Sequence, residues 1–207
     1  MRTLKYLFSV FIAAFLALSL HSPAAATALP DPVEQIKPVI TEITTMLTEE
    51  DYKQLPREEQ FDKFLTLAKK RFDFDEMSKR VLGPQWNSLS AEQRELFNER
   101  FAHLLGYTYM DKIDTYAGEG IQYETPRIRG ERAEVRTTIQ FKEGSVPIFY
   151  IMQLKNSEWM AYDLVVENIS LVRNYMEQLR SILQRNGFDG LIKQINDKIS
   201  QLQATKK

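Results

Sequence analysis

The chain has 207 residues, a formal net charge of −1 and no cysteine. That length suits one domain with a sizeable core. The near-balanced charge argues against a nucleic-acid partner, and the missing cysteine excludes disulfides, thiolate metal sites and a cysteine nucleophile.

Arg2 and Lys5 open the chain, Leu7 to Leu20 is an uncharged apolar run, and Ala-x-Ala sites follow at Ala24/Ala26 and Ala26/Ala28. This pattern predicts a secretory signal peptide over residues 1–26, cleaved after Ala26 or Ala28. The apolar run falls short of the roughly 20 residues of a membrane span, and proline and small residues follow it. Removing Arg2 and Lys5 leaves a net charge of −3 on a single domain, 27–207. An exported, cysteine-free domain of this kind holds together by its core alone.

Asp31-Pro32 reads as an N-cap and first helical residue. Val33, Ile36, Val39, Ile40, Ile43, Met46 and Leu47 then form one apolar stripe, with a kink or a late start expected at Pro38. A second helix is expected over about Arg57–Phe72, and a third over Asp75–Leu82, stopped by Gly83-Pro84. Ser90-Ala-Glu-Gln93 is a capping box. It opens a long helix carrying Leu96, Phe97, Phe101, Leu104, Leu105, Met110, Ile113 and Tyr116, expected to end near Ala117-Gly118.

The period then changes from helical to alternating. Residues 121–128 predict an edge strand containing Pro126. Val135, Thr137, Ile139 and Phe141 predict a half-buried strand; 147–154 and 159–166 predict two more, with turns near Gly144 and Asn156-Ser157. Ser170 caps a helix to about Arg185, Asn186-Gly187 ends it, and a last helix carries Leu191, Ile192, Ile195, Ile199 and Leu202. Helices, a meander and helices again define an α+β fold: a curved antiparallel sheet wrapped by helices. Ile148, Tyr150, Met152 and Leu154, with Met160, Tyr162, Leu164 and Val166, are expected to share an apolar sheet face. That face must be covered by helices or by a ligand.

Chemistry-bearing motifs are sparse. There is no phosphate-binding P-loop, no H-E-x-x-H and no G-x-S-x-G. A lone His103 with Glu99 one turn earlier does not make a metal site, so no metal is expected. Asp163 has two readings, a desolvated general base inside a cavity or an acid paired on the outer face. Arg127, Arg129, Arg132 and Arg136 read as a phosphate or acidic-partner site, or as charges protecting a sheet edge. Tyr107, Met110, Ile113, Tyr150, Met152, Tyr162, Tyr175 and Met176 read as core or as the wall of an adaptable cavity.

Phe72-Asp-Phe74-Asp-Glu-Met77, Val81-Leu82-Gly83, Trp86, Tyr162-Asp163-Leu164, Glu167, Ser170-Leu171-Val172, Asn174-Tyr175 and Gly187-Phe188-Asp189 together resemble the MlaC family of toluene-tolerance auxiliary proteins. The resemblance covers nearly all of the chain after residue 26. It implies a monomeric periplasmic carrier with phospholipid as cargo, no cofactor and no catalytic residue. It further implies two partners, an inner-membrane ABC transporter complex with its MCE-domain subunit and an outer-membrane lipoprotein–porin complex, and a role in outer-membrane lipid asymmetry. A related branch implies a hopanoid cargo instead. An enzyme on a similar roll using Asp163, and an adaptor binding a protein on its apolar surface, are the readings from other classes. Strand facing and helix stripes assign the pocket to Tyr107, Met110, Ile113, Ile139, Tyr150, Met152, Tyr162, Leu164, Val166, Val172, Tyr175 and Met176. Asp163 and Glu167 are then frame.

Overall fold

The computed structural model describes residues 29–141 and 144–204. The expected leader, with its cleavage sites at Ala26 and Ala28, lies outside the described residues. Helix α1 spans Pro32–Thr48; the Asp31 carboxylate accepts the Val33 N–H at 2.7 Å, so the expected cap forms and the helix does not start late. A short α2, Glu50–Gln54, precedes α3, Arg57–Ala68. The second helix stops at Ala68, earlier than expected. Residues 71–73 instead run beside a sheet strand, where the Asp73 N–H donates to the Ala161 carbonyl and the Ala161 N–H to the Arg71 carbonyl.

Helix α4, Phe74–Leu82, is capped by Asp73, which accepts the Glu76 N–H at 3.0 Å. Gly83 ends it at φ 59°, a left-handed turn that favours glycine. The lack of a side chain there also matters. A Cβ on Gly83 would lie 2.0 Å from the Arg180 guanidinium, which donates to the Val81 and Arg80 carbonyls. After a 3₁₀ turn at Gly83–Ser88 comes α5, Ala91–Asp114. The capping box forms as expected: the Gln93 N–H donates to Ser90 Oγ at 3.2 Å and the Ser90 N–H to Gln93 Oε1 at 3.0 Å.

Strands β1 (Tyr116–Tyr123), β2 (Arg127–Arg129), β3 (Arg132–Phe141), β4 (Gly144–Lys155), β5 (Glu158–Val166) and β6 (Ile169–Ser170) make one antiparallel sheet. Its order is β1-β3-β4-β5-β6, with β2 also on β3. Helix α5 ends before Ala117-Gly118 because Tyr116 already pairs with Phe141. The shifted register between Tyr116 and Ile121 takes up Gly118-Glu119-Gly120, so these glycines serve an irregular strand rather than a helix end. The expected 121–128 strand is split around Pro126, which has no N–H for a ladder. Helix α6, Leu171–Ala204, is broken at Gly187 (φ 67°, ψ −176°), where two helices were expected to meet.

Two cores share the fold. Helices α4, α5 and α6 close around Phe97, Phe101, Met110, Tyr175, Leu191 and Ile195. Helix α1 places Ile36 and Ile40 against Ala133, Val135, Tyr150, Met152, Trp159 and Ala161 of the sheet.

The sheet register explains which residues face which core. Tyr150 pairs with Leu164 and Ile151 with Asp163, but Met152 pairs with Ala161. Tyr162 is therefore the extra residue of a β-bulge, and side-chain parity reverses across it. Trp159 and Ala161 face α1, whereas Tyr162 turns to the helical core under the Arg80 guanidinium, 3.8 Å from its ring centre. The expected shared face of Met160, Tyr162, Leu164 and Val166 is broken at this point.

Candidate functional site

The α1-covered sheet face does not stay closed. Toward the β3–β4 turn, helices α1, α3 and α5 stand off the sheet and leave an apolar cavity of about 560 Å³. The volume falls within the roughly 300–1,000 Å³ usual for small-molecule ligand sites. Ile40, Ile43, Thr44 and Leu47 line it from α1, and Phe64, Leu65 and Ala68 from α3. Phe72, Phe74 and Met77 enter from the α4 side. The opposite wall is the sheet, with Ile139, Val146, Ile148, Tyr150, Leu164 and Val166.

Helix α5 contributes Ala102, Leu105, Gly106, Tyr109 and Ile113. Spacings of three and four keep these within one stripe about 100° wide, at roughly 100° per residue. Gly106 is required by the neighbouring helix: a Cβ there would lie 2.0 Å from the fully buried Phe61 ring. The polar groups on the wall are few. Thr44 Oγ1 bonds back to the Ile40 carbonyl at 2.9 Å, which leaves the surface apolar. Burial pushes the Tyr109 phenol up to about 12, with the Tyr175 hydroxyl adding to it. Burial also raises the Tyr150 phenol, followed by the influence of Tyr123. Both phenols therefore stay neutral and add no charge to the wall. Ser145 and Glu167 stand at the exposed end.

Five of the twelve residues assigned to a pocket from sequence line this cavity: Ile113, Ile139, Tyr150, Leu164 and Val166. The other seven lie elsewhere. Met110 and Tyr107 sit about 80° and 140° round α5 from Ala102, at roughly 100° per residue, on the helical-core side. Tyr107 stacks on Phe61 at 4.5 Å and borders a separate polar recess of about 310 Å³ with His103, Glu58 and Asp62. Met152 is fully buried under α1 beyond the closed end of the cavity. Tyr162 is turned away by the bulge. Val172, Tyr175 and Met176 belong to α6, where Val172 and Tyr175 pack into the helical core; Leu171, one position earlier, lines the cavity instead. The α1 and α3 wall was missed altogether. Its apolar stripes were visible, but no local signal says which sheet face a helix covers.

Asp163 points away from the cavity. Its carboxylate accepts the Ser170 hydroxyl at 2.5 Å and the Val172 N–H at 3.0 Å, and Ser170 Oγ accepts the Arg173 N–H at 3.0 Å. The acid thus caps the N-terminus of α6, where donors and helix dipole both favour a carboxylate. Glu167 and Asn168 form the β5–β6 turn with φ of 51° and 66°, the geometry of a type I′ hairpin. Arg136 pairs with Glu134 at 2.5 Å and lies over the Phe149 ring, and Arg127 stands 3.9 Å from Glu134. Among the described residues no three His, Asp or Glu side chains gather as a metal site, and no helix is long and apolar enough to cross a membrane.

A sheet and helices holding a wide apolar cavity, with acids turned into structural caps, define a protein built to hold an apolar ligand. The MlaC protein family model matches residues 37–197, and the chain belongs to that family. It is 30% identical over 128 residues to the intermembrane phospholipid transport system binding protein MlaC of Haemophilus influenzae, covering 59% of this chain and 60% of that one. It is 25% identical over 186 residues to the toluene tolerance protein ttg2D of Pseudomonas putida, covering 87% and 86% respectively. Its fold matches a phospholipid-binding protein from Ralstonia solanacearum, solved in complex with a phospholipid. The TM-score is 0.74 and the identity 20%, with 84% of this chain and 99% of that one covered.

Proposed function

We propose that this protein is a periplasmic phospholipid carrier that holds acyl chains in the cavity between the sheet and helices α1, α3 and α5. The observation that carries this reading is the cavity itself, with its wall of aliphatic and aromatic side chains. The names of the relatives, a phospholipid transport binding protein and a phospholipid-binding protein solved with its lipid, support it.

The energetics explain why a carrier is needed. A diacyl lipid exposes on the order of 30 methylenes, each costing about 0.8 kcal/mol in water. Passage between membranes through water is therefore prohibitively slow unless the tails stay covered. Covering them needs no catalytic residue, and Asp163 is committed to capping α6. In this reading the monomer takes lipid at one membrane complex and releases it at another. One is an inner-membrane ABC transporter with an MCE-domain subunit and the other an outer-membrane lipoprotein–porin complex, and the exchange maintains outer-membrane lipid asymmetry. The leader over residues 1–26 would direct export.

The test is native mass spectrometry of protein purified from the periplasm without detergent, followed by lipid extraction. A stoichiometric adduct that resolves into phospholipid is expected. A hopanoid adduct would keep the carrier and change its cargo. Folded protein without lipid would refute the reading.

A further inference from the structure

We infer that Ala68 and Ala102 form the floor of the cavity and set the length of acyl chain it accepts, an inference that rests on the carrier reading. The cavity has a direction, and three elements give the same one. On the sheet, Ser145 beside the β3–β4 turn is exposed, Ile148 is half-buried and Tyr150 is 3% exposed. On α5, Ile113 is half-buried whereas Ala102, three turns earlier, is 3% exposed. On α1, Leu47 is half-buried and Ile40 is 6% exposed. The mouth therefore lies at Ser145, Ile113 and Leu47, and the closed end at Tyr150, Ala102 and Ile40.

At that closed end the helical wall changes character. Nearer the mouth α3 and α5 present Phe64, Leu65, Tyr109 and Ile113; at the bottom they present methyl groups, Ala68 at 3% exposure and Ala102. The depth fits a membrane lipid. Ala102 to Ile113 spans about 16 Å of α5 at about 1.5 Å per residue. Half of the roughly 30 Å hydrocarbon core of a bilayer is about 15 Å. A chain that fills one leaflet thus ends at the two alanines. Met77, Phe72 and Phe74 complete the floor, and Met77, at 2% exposure, leaves little room to retreat. A branch added at either alanine therefore takes its space from the ligand.

The experiment loads full-length mature protein from vesicles containing equal amounts of dilauroyl, dimyristoyl, dipalmitoyl and distearoyl phosphatidylethanolamine. Bound species are read by native mass spectrometry, for wild type, Ala102→Leu and Ala68→Val. Wild type is expected to carry the longer lipids. In Ala102→Leu the ratio of dilauroyl to distearoyl bound should rise about tenfold, the selectivity expected for excluding two methylenes. Ala68→Val should shift the ratio the same way by less, and it decides the matter if Ala102→Leu does not fold. An unchanged ratio in folded variants overturns the inference. So does equal loss of every chain length, which would make the alanines packing residues only. Wild type that takes up none of the four lipids would instead overturn the carrier reading, a result separate from either.

Discussion

The helical core and the sheet-facing half of this protein draw on the same apolar residue types, yet one is solid and the other hollow. Around α4, α5 and α6, Phe97 and Phe101 stack at 5.6 Å, and Tyr175 meets Phe101 edge-on at 5.4 Å. From sequence, tyrosine and methionine read either as core or as the wall of an adaptable cavity; Tyr175 and Met110 fill this solid core, whereas Tyr150 lines the cavity. The hollow is walled chiefly by isoleucine, leucine, valine and phenylalanine on elements that stand apart. The spacing between elements makes the cavity, and side-chain type alone does not reveal it.

The strongest way to break that contrast is to put the same charge on both sides of the cavity's closed end. Met152→Arg buries an unpaired cation under α1 and should leave the protein unfolded by circular dichroism. Leu164→Arg, on the wall, can reach toward the open end. It should stay folded and purify without lipid. Equal behaviour of the two variants would erase the distinction between closed core and cavity wall.

A smaller effect separates stability from cargo. Phe101→Ala should cost about 3–5 kcal/mol in denaturant unfolding while bound lipid per folded protein is unchanged. Asp163→Asn loses a charged acceptor for the Ser170 hydroxyl or the Val172 N–H, and should cost about 1–2 kcal/mol without emptying the cavity. Lipid loss in a folded Asp163→Asn would give that carboxylate a role beyond the cap.

The smallest effect belongs to His103, whose ring lies tilted against Phe61 with the centres 4.8 Å apart. Burial, the largest influence, holds its pKa below the ordinary 6.5; Glu99 and Asp62 oppose this, and Arg100 and Lys69 add to it. The folded state therefore favours neutral histidine. Stability is full above the ordinary value and declines as pH falls through it toward the lowered one. Melting temperature against pH should show this slope in wild type and lose it in His103→Gln.

The element order and the meander were legible because the apolar period changes cleanly after α5. Caps at Asp31 and Ser90 were legible because they depend on neighbouring residues alone. The cavity was legible only in part. In Trp159-Met-Ala-Tyr-Asp-Leu-Val-Val166 both parities are apolar apart from Asp163, so nothing marks a bulge at Tyr162 or the reversal behind it. On α5, steps of three linked Tyr107, Met110 and Ile113, but such steps drift about 60° each, and only Ile113 reaches the cavity stripe. The α1 and α3 wall depends on contacts distant in sequence, which periodicity does not encode.

The most direct test of the cavity as the acyl-chain site is photo-crosslinking with a phospholipid bearing a diazirine at the end of one chain. Labelled peptides should come from the closed end, with adducts on Ala68, Phe72, Met77 or Ala102. Adducts confined to Met110, Tyr175 and Met176, or to the outer surface, would contradict the account.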